Sequence, residues 1–172
     1  ERVDKGEIPP SMLFTPVIRC MMEKFQLNAY TITNQAKRQL ERKDTLFKSS
    51  SAAANFVFPI LDSSNKKLIG GHSTDGLFKL ISQISTNKKK LISKINKQLF
   101  NNKLTKYEQE NFIIENEKNG ITGSILSLKY LRYFSIKFYK CITRLSKLVE
   151  SNKGSGTAFI YSNLVKAGGM EL

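Results

Sequence analysis

The residues whose types and spacing can do chemistry in this chain are cations and helix-capping groups. Lys88-Lys89-Lys90 is a run of ammonium groups, and Lys37, Arg38, Arg42 and Lys43 form a second basic cluster. Ser162-Asn163 opens a predicted helix, with Lys166 one turn in. The free N–H groups at a helix start form a natural phosphate site. Together these residues point to contact with the backbone of a polyanion. Each has a plainer reading: Ser and Asn are ordinary caps, and charge runs are usually solvated faces. Tyr130, Tyr133, Phe134, Phe138 and Tyr139 can stack bases, but their helical spacing predicts core packing instead.

A catalytic set is missing. His72 is the single histidine and falls in a predicted loop, so no Ser-His-Asp or Cys-His arrangement can be assigned. Gly154-Ser155-Gly156-Thr157 suggests a phosphate loop. Such a loop needs a strand before the glycines and Lys-Ser/Thr opening a helix after them, and here the strand comes after. Gly70-Gly71 and Gly168-Gly169 fail similarly. Glu108/Glu110 and Glu115/Glu117 are pairs on a basic chain, more consistent with solvated faces than acid/base work. With one His and two scattered cysteines, no metal site is predicted.

Composition narrows the partner. The chain has 172 residues, with 28 Lys plus Arg against 14 Asp plus Glu, a formal charge of +14. Such a balance favours a polyanion through counterion release. Lys outnumbers Arg, and Asn and Ile are plentiful, a bias that accounts for part of the charge. Cys20 and Cys141 lie in apolar stretches and read as buried free thiols in a reducing compartment. No apolar stretch approaches the ~20 residues of a membrane-spanning helix. The N-terminus lacks a signal-peptide core.

The elements that must position these groups follow from periodicity. Residues 1–12 read as loop and Leu13–Cys20 as a strand. Met22, Phe25, Ala29, Ile32, Ala36 and Leu40 predict an amphipathic helix. Pro59 is expected to end any regular element after Phe56-Val57-Phe58. Residues 62–75 read as an exposed linker. Asp75 is expected to cap a second helix with the stripe Leu77, Ile81, Ile84, Leu91, Ile95 and Leu99. Thr105 and Glu108 match a capping box opening a third helix, Thr105–Asn116, which Gly120 and Gly123 close. A fourth helical region covers Ile125–Val149, with Leu131, Phe134, Phe138, Ile142, Leu145 and Val149 as its stripe and an interruption at Ser135-Ile136-Lys137. After a turn at 152–156, Gly156–Tyr161 reads as a buried strand leading straight into a helix. Such a strand belongs in a covered parallel sheet. The chain ends a few residues later, so it looks cut from a larger protein.

Four segments carry a family resemblance. AFIYSNLVKAGGMEL (158–172) resembles the opening of the second RecA-like lobe in superfamily two helicases of large DNA viruses, which include poxvirus, asfarvirus and mimivirus-type proteins. YFSIKFYKCI (133–142) is similar to the Tyr-Ser-Pro-Lys-like segment preceding that lobe, with Ile136 in place of Pro. SSSAAANFVFP (49–59) resembles the Ser-Arg-Gln-Ala-x-Asn-Phe-Val-Phe-Pro-like segment after the first lobe, without its Arg. CMMEKFQLNAY (20–30) is similar to the end of the first lobe, where Met-Ser-x-x-Gln-x-x-x-Tyr is usual. Gln26 and Tyr30 match, and Glu23 departs.

The resemblance implies an α/β, predominantly helical fragment: residues 1–61 closing one RecA-like lobe, 62–125 a basic helical insert, and 126–172 opening the next lobe. It implies part of an ATP-dependent DNA or RNA helicase or translocase of the Snf-type, poxvirus-like group. The fragment would contribute backbone contact and inter-lobe coupling without being catalytic itself. Ser162, Asn163, Lys166, Lys137 and Lys88–Lys90 are the candidate contacts. ATP and Mg are implied for the parent protein, with the P-loop, the acidic motif and the arginine finger expected outside residues 1–172. Partners would be nucleic acid and the remaining lobes, with no membrane, in host cytoplasm or virion. The alternatives are a non-enzymatic, basic, helical nucleic-acid-binding protein and a transcription-complex interaction module.

Overall fold

The structure, a computed structural model, describes residues 18–38, 46–116 and 120–150, with position 160. The predicted terminal strand and helix, the turn at 152–156, and most of the predicted strand at Leu13–Cys20 lie outside the described residues; positions 18–20 carry no regular structure. The described chain is predominantly helical, as the resemblance implied. Its elements are α1 (Lys24–Arg38), α2 (Leu46–Asn55), β1 (Phe58–Leu61), β2 (Leu68–Gly71), α3 (Ser73–Phe100), α4 (Lys106–Glu110), β3 (Ile114–Asn116), β4 (Gly120–Thr122), a 3-10 turn (Ser124–Leu126), α5 (Leu128–Phe134) and α6 (Ile136–Glu150).

β1 and β2 form an antiparallel hairpin pairing Phe58 with Gly71 and Leu61 with Leu68. This corrects two expectations. Pro59 does not end the element but sits inside β1, opposite Gly70. β1 has a strand on one side only, and an edge tolerates a residue without an N–H. At its end, the Gln83 side chain from α3 stands in for a missing strand: Leu61 N–H donates to Oε1 at 2.7 Å, and Nε2 donates to the Leu61 carbonyl at 2.9 Å. Nor is 62–75 a linker. Asp62 accepts from the amides of Lys66 and Lys67 and from the Ser64 hydroxyl, and Asn65 takes a left-handed φ of 54°. These turn the chain into β2. The Asp62 carboxyl is held below its ordinary pKa, chiefly by the Lys67 amide.

All four β1 side chains are buried, because helices cover both faces of the hairpin. α3 packs on one, and α1 reaches β2 from the other. α3 carries the predicted stripe: Leu77, Ile81, Ile84, Leu91 and Ile95 are buried, joined by Leu80, Ile92 and Phe100. Asp75 lies in the first turn rather than at the cap, which is His72. The helix kinks at Asn87, with φ −138° and ψ 31°. Just before the kink, Ser85 and Thr86 hydroxyls donate to the carbonyls of Ile81 and Ser82, the back-bonding that bends helices.

The third helix is shorter than predicted. Its capping box is present, with Glu108 N–H donating to Thr105 Oγ1 and Thr105 N–H to Glu108 Oε2, but α4 stops at Glu110 and a second hairpin, β3–β4, follows. Gly123 adopts φ 113°, and a Cβ there would lie 2.6 Å from the Asn111 carbonyl oxygen, so the tight return after β4 needs glycine. The predicted break near Ser135 separates α5 from α6. Leu131 and Phe134 are buried, whereas Ile142 is 40% and Val149 77% exposed. The far half of α6 therefore lies off the core. Ile32, assigned to the α1 stripe, is likewise 62% exposed. Cys20 and Cys141 are free and half-buried rather than buried.

α3 approaches β2 so closely that only glycine fits at Gly76. A Cβ there would sit 2.6 Å from the Gly71 carbonyl carbon. Gly76→Ala should lower stability by about 1–3 kcal/mol despite alanine's better helix propensity, since the clash is with backbone. Urea titration checks this; an unchanged or raised midpoint would show that α3 can shift away.

Candidate functional site

Three of the segments that carry the resemblance meet in space, and one side chain joins them. Gln26 on α1 is 0% exposed. Its Nε2 donates to the carbonyls of Ala53 at 3.3 Å and Ala54 at 3.2 Å, at the end of α2. Its Oε1 accepts from Ile136 N–H at 3.2 Å, at the start of α6. Helix ends leave carbonyls and N–H groups without intrahelical partners, and this amide answers both kinds at once. Around it, Val57 N–H donates to the Phe134 carbonyl. The Phe134 ring meets Phe25 edge-on at 5.9 Å and stacks with Phe56 at 6.4 Å. At the surface of the junction, Lys137 Nζ donates to Asn55 Oδ1 at 3.0 Å.

The lysine run ends up beside a second element. Lys88 and Lys89, immediately after the kink, line a groove of about 490 Å³ with Ile92 on α3 and Lys106, Gln109 and Glu110 on α4. The groove holds three ammonium groups against one carboxylate. Among the described residues none of these lysines forms an ion pair. Lys90 is exposed and does not line the groove. Lys106 was missed in the sequence. Its signal was the capping box: with Thr105 as cap, Lys106, Gln109 and Glu110 fall on one side of a single helical turn.

α4 is fixed by Glu108. One carboxylate oxygen accepts from Lys129 Nζ and from the Tyr130 hydroxyl, both at 2.6 Å, and the other accepts from Thr105. The Lys129 ammonium first, then the Tyr130 hydroxyl, pull the Glu108 pKa from 4.5 down to about 2. The Tyr130 hydroxyl is pushed up, chiefly by burial.

Lys37 and Arg38 lie in the last turn of α1, while Arg42, Lys43, Ser162, Asn163 and Lys166 lie outside the described residues. Of the aromatic residues, Tyr130 and Phe134 are core, as predicted; Phe138 and Tyr139 pack against it, and Tyr133 is half-buried at an opening. His72 sits beside the Ser73 hydroxyl at 3.2 Å. Among the described residues there is no cluster of three or more His, Cys, Asp or Glu side chains that could hold a metal ion, and Gly70-Gly71 lies in β2. Among the described residues, no helix is long and apolar enough to cross a membrane.

Comparison with known proteins adds one relation. The chain is similar to part of a viral helicase. A protein of Acanthamoeba polyphaga mimivirus, bearing the name of an ATP-dependent RNA helicase, is 40% identical to it over 174 residues. That alignment covers 98% of this chain and 14% of the relative. No family model matches the chain, and no solved structure matches it.

Two measurements test this geometry. Gln26→Leu removes three hydrogen bonds and leaves a buried N–H and two carbonyls without this partner. It should destabilise the chain by about 3 kcal/mol or more, at roughly 1–3 kcal/mol per orphaned group. A loss within experimental error of zero would remove Gln26 from the junction. Glu108 has a depressed folded pKa, so its stabilisation is complete above the ordinary pKa and is lost as pH falls from 4.5 toward 2. The melting temperature of the unaltered chain should therefore fall more steeply across that window, and Glu108→Gln should flatten the decline. Parallel pH profiles for the two proteins would contradict the assignment.

Proposed function

We propose that this chain is a segment of a superfamily two, Snf-type and poxvirus-like helicase of a large DNA virus. In this reading it lies between the two RecA-like lobes, with 1–61 and 126–172 belonging to the lobes and 62–125 to a basic insert. It holds nucleic-acid backbone and passes lobe movement to the bound strand, without hydrolysing ATP itself. The observation that carries the proposal is identity of 40% across 98% of the chain with a protein named as an ATP-dependent RNA helicase. The +14 charge supports a polyanion partner.

The Lys88, Lys89 and Lys106 groove supports backbone contact, because ammonium groups grip phosphate without reading bases. The Gln26 junction supports coupling. It ties the ends of α2 and α6 to α1, so these segments move together, as a hinge between two bodies requires. Lys137, beside Asn55 at that junction, and Ser162, Asn163 and Lys166 are further proposed contacts. The remaining lobes of the parent would be its partners, supplying the ATP and Mg chemistry, in host cytoplasm or the virion.

The test is anisotropy with labelled single-stranded RNA and DNA across a salt series. Affinity should fall steeply with salt. The triple change Lys88→Ala, Lys89→Ala, Lys106→Ala should reduce the slope of log K against log salt by about 2, at roughly 0.7 per phosphate contact on single strands. Salt-insensitive binding would favour a protein-interaction module, and ATP turnover by this chain alone would defeat the non-catalytic assignment.

A further inference from the structure

A second opening lies at the C-terminal end of α3, apart from the lysine groove. It encloses about 440 Å³ between Phe100, Asn101 and Lys103 on one side and Lys129, Arg132 and Tyr133 on the other. That volume lies within the ~300–1,000 Å³ of small-ligand sites. Its composition differs from the groove's, with aromatic rings and a guanidinium joining the ammonium groups.

The parts are held in place. The Phe100 ring meets Tyr133 at 5.1 Å and 82°, fixing the tyrosine edge-on. The Arg132 guanidinium carbon lies 4.9 Å from the centre of the Tyr133 ring, and Nη2 donates to the Tyr133 hydroxyl at 2.9 Å. A long cation that would otherwise sweep through solvent is thus held against a ring, with its Nε 4.0 Å from the Glu23 carboxylate, while its side chain stays 46% exposed. Guanidinium planes held this way stack on nucleobases as aromatic rings do. Lys103 is fixed through its backbone. Asn101 and Asn102 take left-handed φ of 50° and 61°, the Asn96 carbonyl accepts from both their amides, and Asn96 Oδ1 accepts from Leu104 N–H at 3.0 Å. Lys129 is charge-compensated by Glu108 at 2.6 Å. Lys103 forms no ion pair among the described residues, leaving it to meet an anion. A flat cationic stacking surface beside a free ammonium group matches a nucleotide unit, one base and its phosphate.

We propose that this pocket binds one nucleotide, its base stacked against Arg132 and Tyr133 and its phosphate held by Lys103. The proposal rests on the nucleic-acid reading above and adds to it a base-contacting site distinct from the backbone groove. The nucleotide can come from a single strand or from solution, and the experiment separates these sources.

Anisotropy is measured with a single-stranded oligonucleotide and with an abasic strand of equal length, each in competition with AMP. Arg132→Ala should weaken the base-bearing strand about tenfold, a typical stacking effect, and the abasic strand less than twofold. Lys103→Ala should weaken both strands alike and lower the salt slope by about one. Displacement by AMP assigns the free nucleotide as the source; insensitivity to AMP assigns the strand. Equal losses on both strands with Arg132→Ala, or none, overturn the stacking site while leaving nucleic-acid binding intact. Binding of neither strand by the unaltered chain overturns both readings. Should Arg132→Ala melt early, Lys103→Ala, at an exposed position, still decides whether the pocket holds phosphate.

Discussion

A single amide, that of Gln26, sits where no water reaches and serves two helix ends. Such a group is tolerated in an apolar interior only when its donor and acceptor are answered. Here the partners are the carbonyls that α2 leaves open at its end and an amide that α6 leaves open at its start. No apolar side chain meets both demands, and no single backbone segment reaches both. The constraint is mutual: α1 is fixed by what it caps, and α2 and α6 are fixed by being capped from the same point. Residues up to 110 positions apart are thereby held within hydrogen-bond reach. The aromatic contacts of Phe25, Phe56 and Phe134 surround this junction and keep it dry.

From that junction the fold runs outward through the first hairpin to α3. Glutamine recurs as the device that ends a strand without a strand. Gln83 answers Leu61, and Gln98 Oε1 accepts from Leu68 N–H at 3.3 Å. α3 then divides at Asn87, and its second half opens with Lys88 and Lys89, which face α4 across the groove. Glu108 neutralises Lys129 locally and Glu23 lies 4.0 Å from Arg132, so the positive charge without an ion pair among these groups is at Lys88, Lys89 and Lys106 in the groove and at Lys103 in the second opening. A +14 chain is attracted to any polyanion, but these placements give that attraction a direction.

Much of the helical frame was legible in the sequence. The α3 stripe, the Thr105–Glu108 box and the break at Ser135 depend on local periodicity and capping, which neighbouring residues determine. The hairpins were not legible. β2 is four residues long and contains Gly70-Gly71, so it read as part of the 62–75 linker, and Pro59 read as a stop rather than as a residue inside β1. α2 was missed because Ser49–Ala54 is small and polar; Ala52 and Ala53 are buried, with α1 packed against this helix, rather than announced by a stripe. Ile32, Ile142 and Val149 show the reverse error. An apolar period identifies a helix but not whether a neighbour covers that face. At the site, Lys88 and Lys89 were visible as a charge run, whereas Lys106 and the contact of Lys137 with Asn55 arise only from tertiary placement. Gln26 was noticed through resemblance. Its role could not be read, because a polar residue on an apolar helix says nothing about its partners.

The most direct measurement of the central claim is native-state amide exchange at Ile136, in the unaltered chain and in Gln26→Ala. If the Gln26 carbonyl holds that N–H, exchange at Ile136 is slow in the unaltered chain. In the variant it should accelerate together with the amides of the last turn of α2. Acceleration shared by these two distant segments is the signature of one clamp. Fast exchange at Ile136 in the unaltered chain, or protection that survives removal of the Gln26 side chain, would contradict the account.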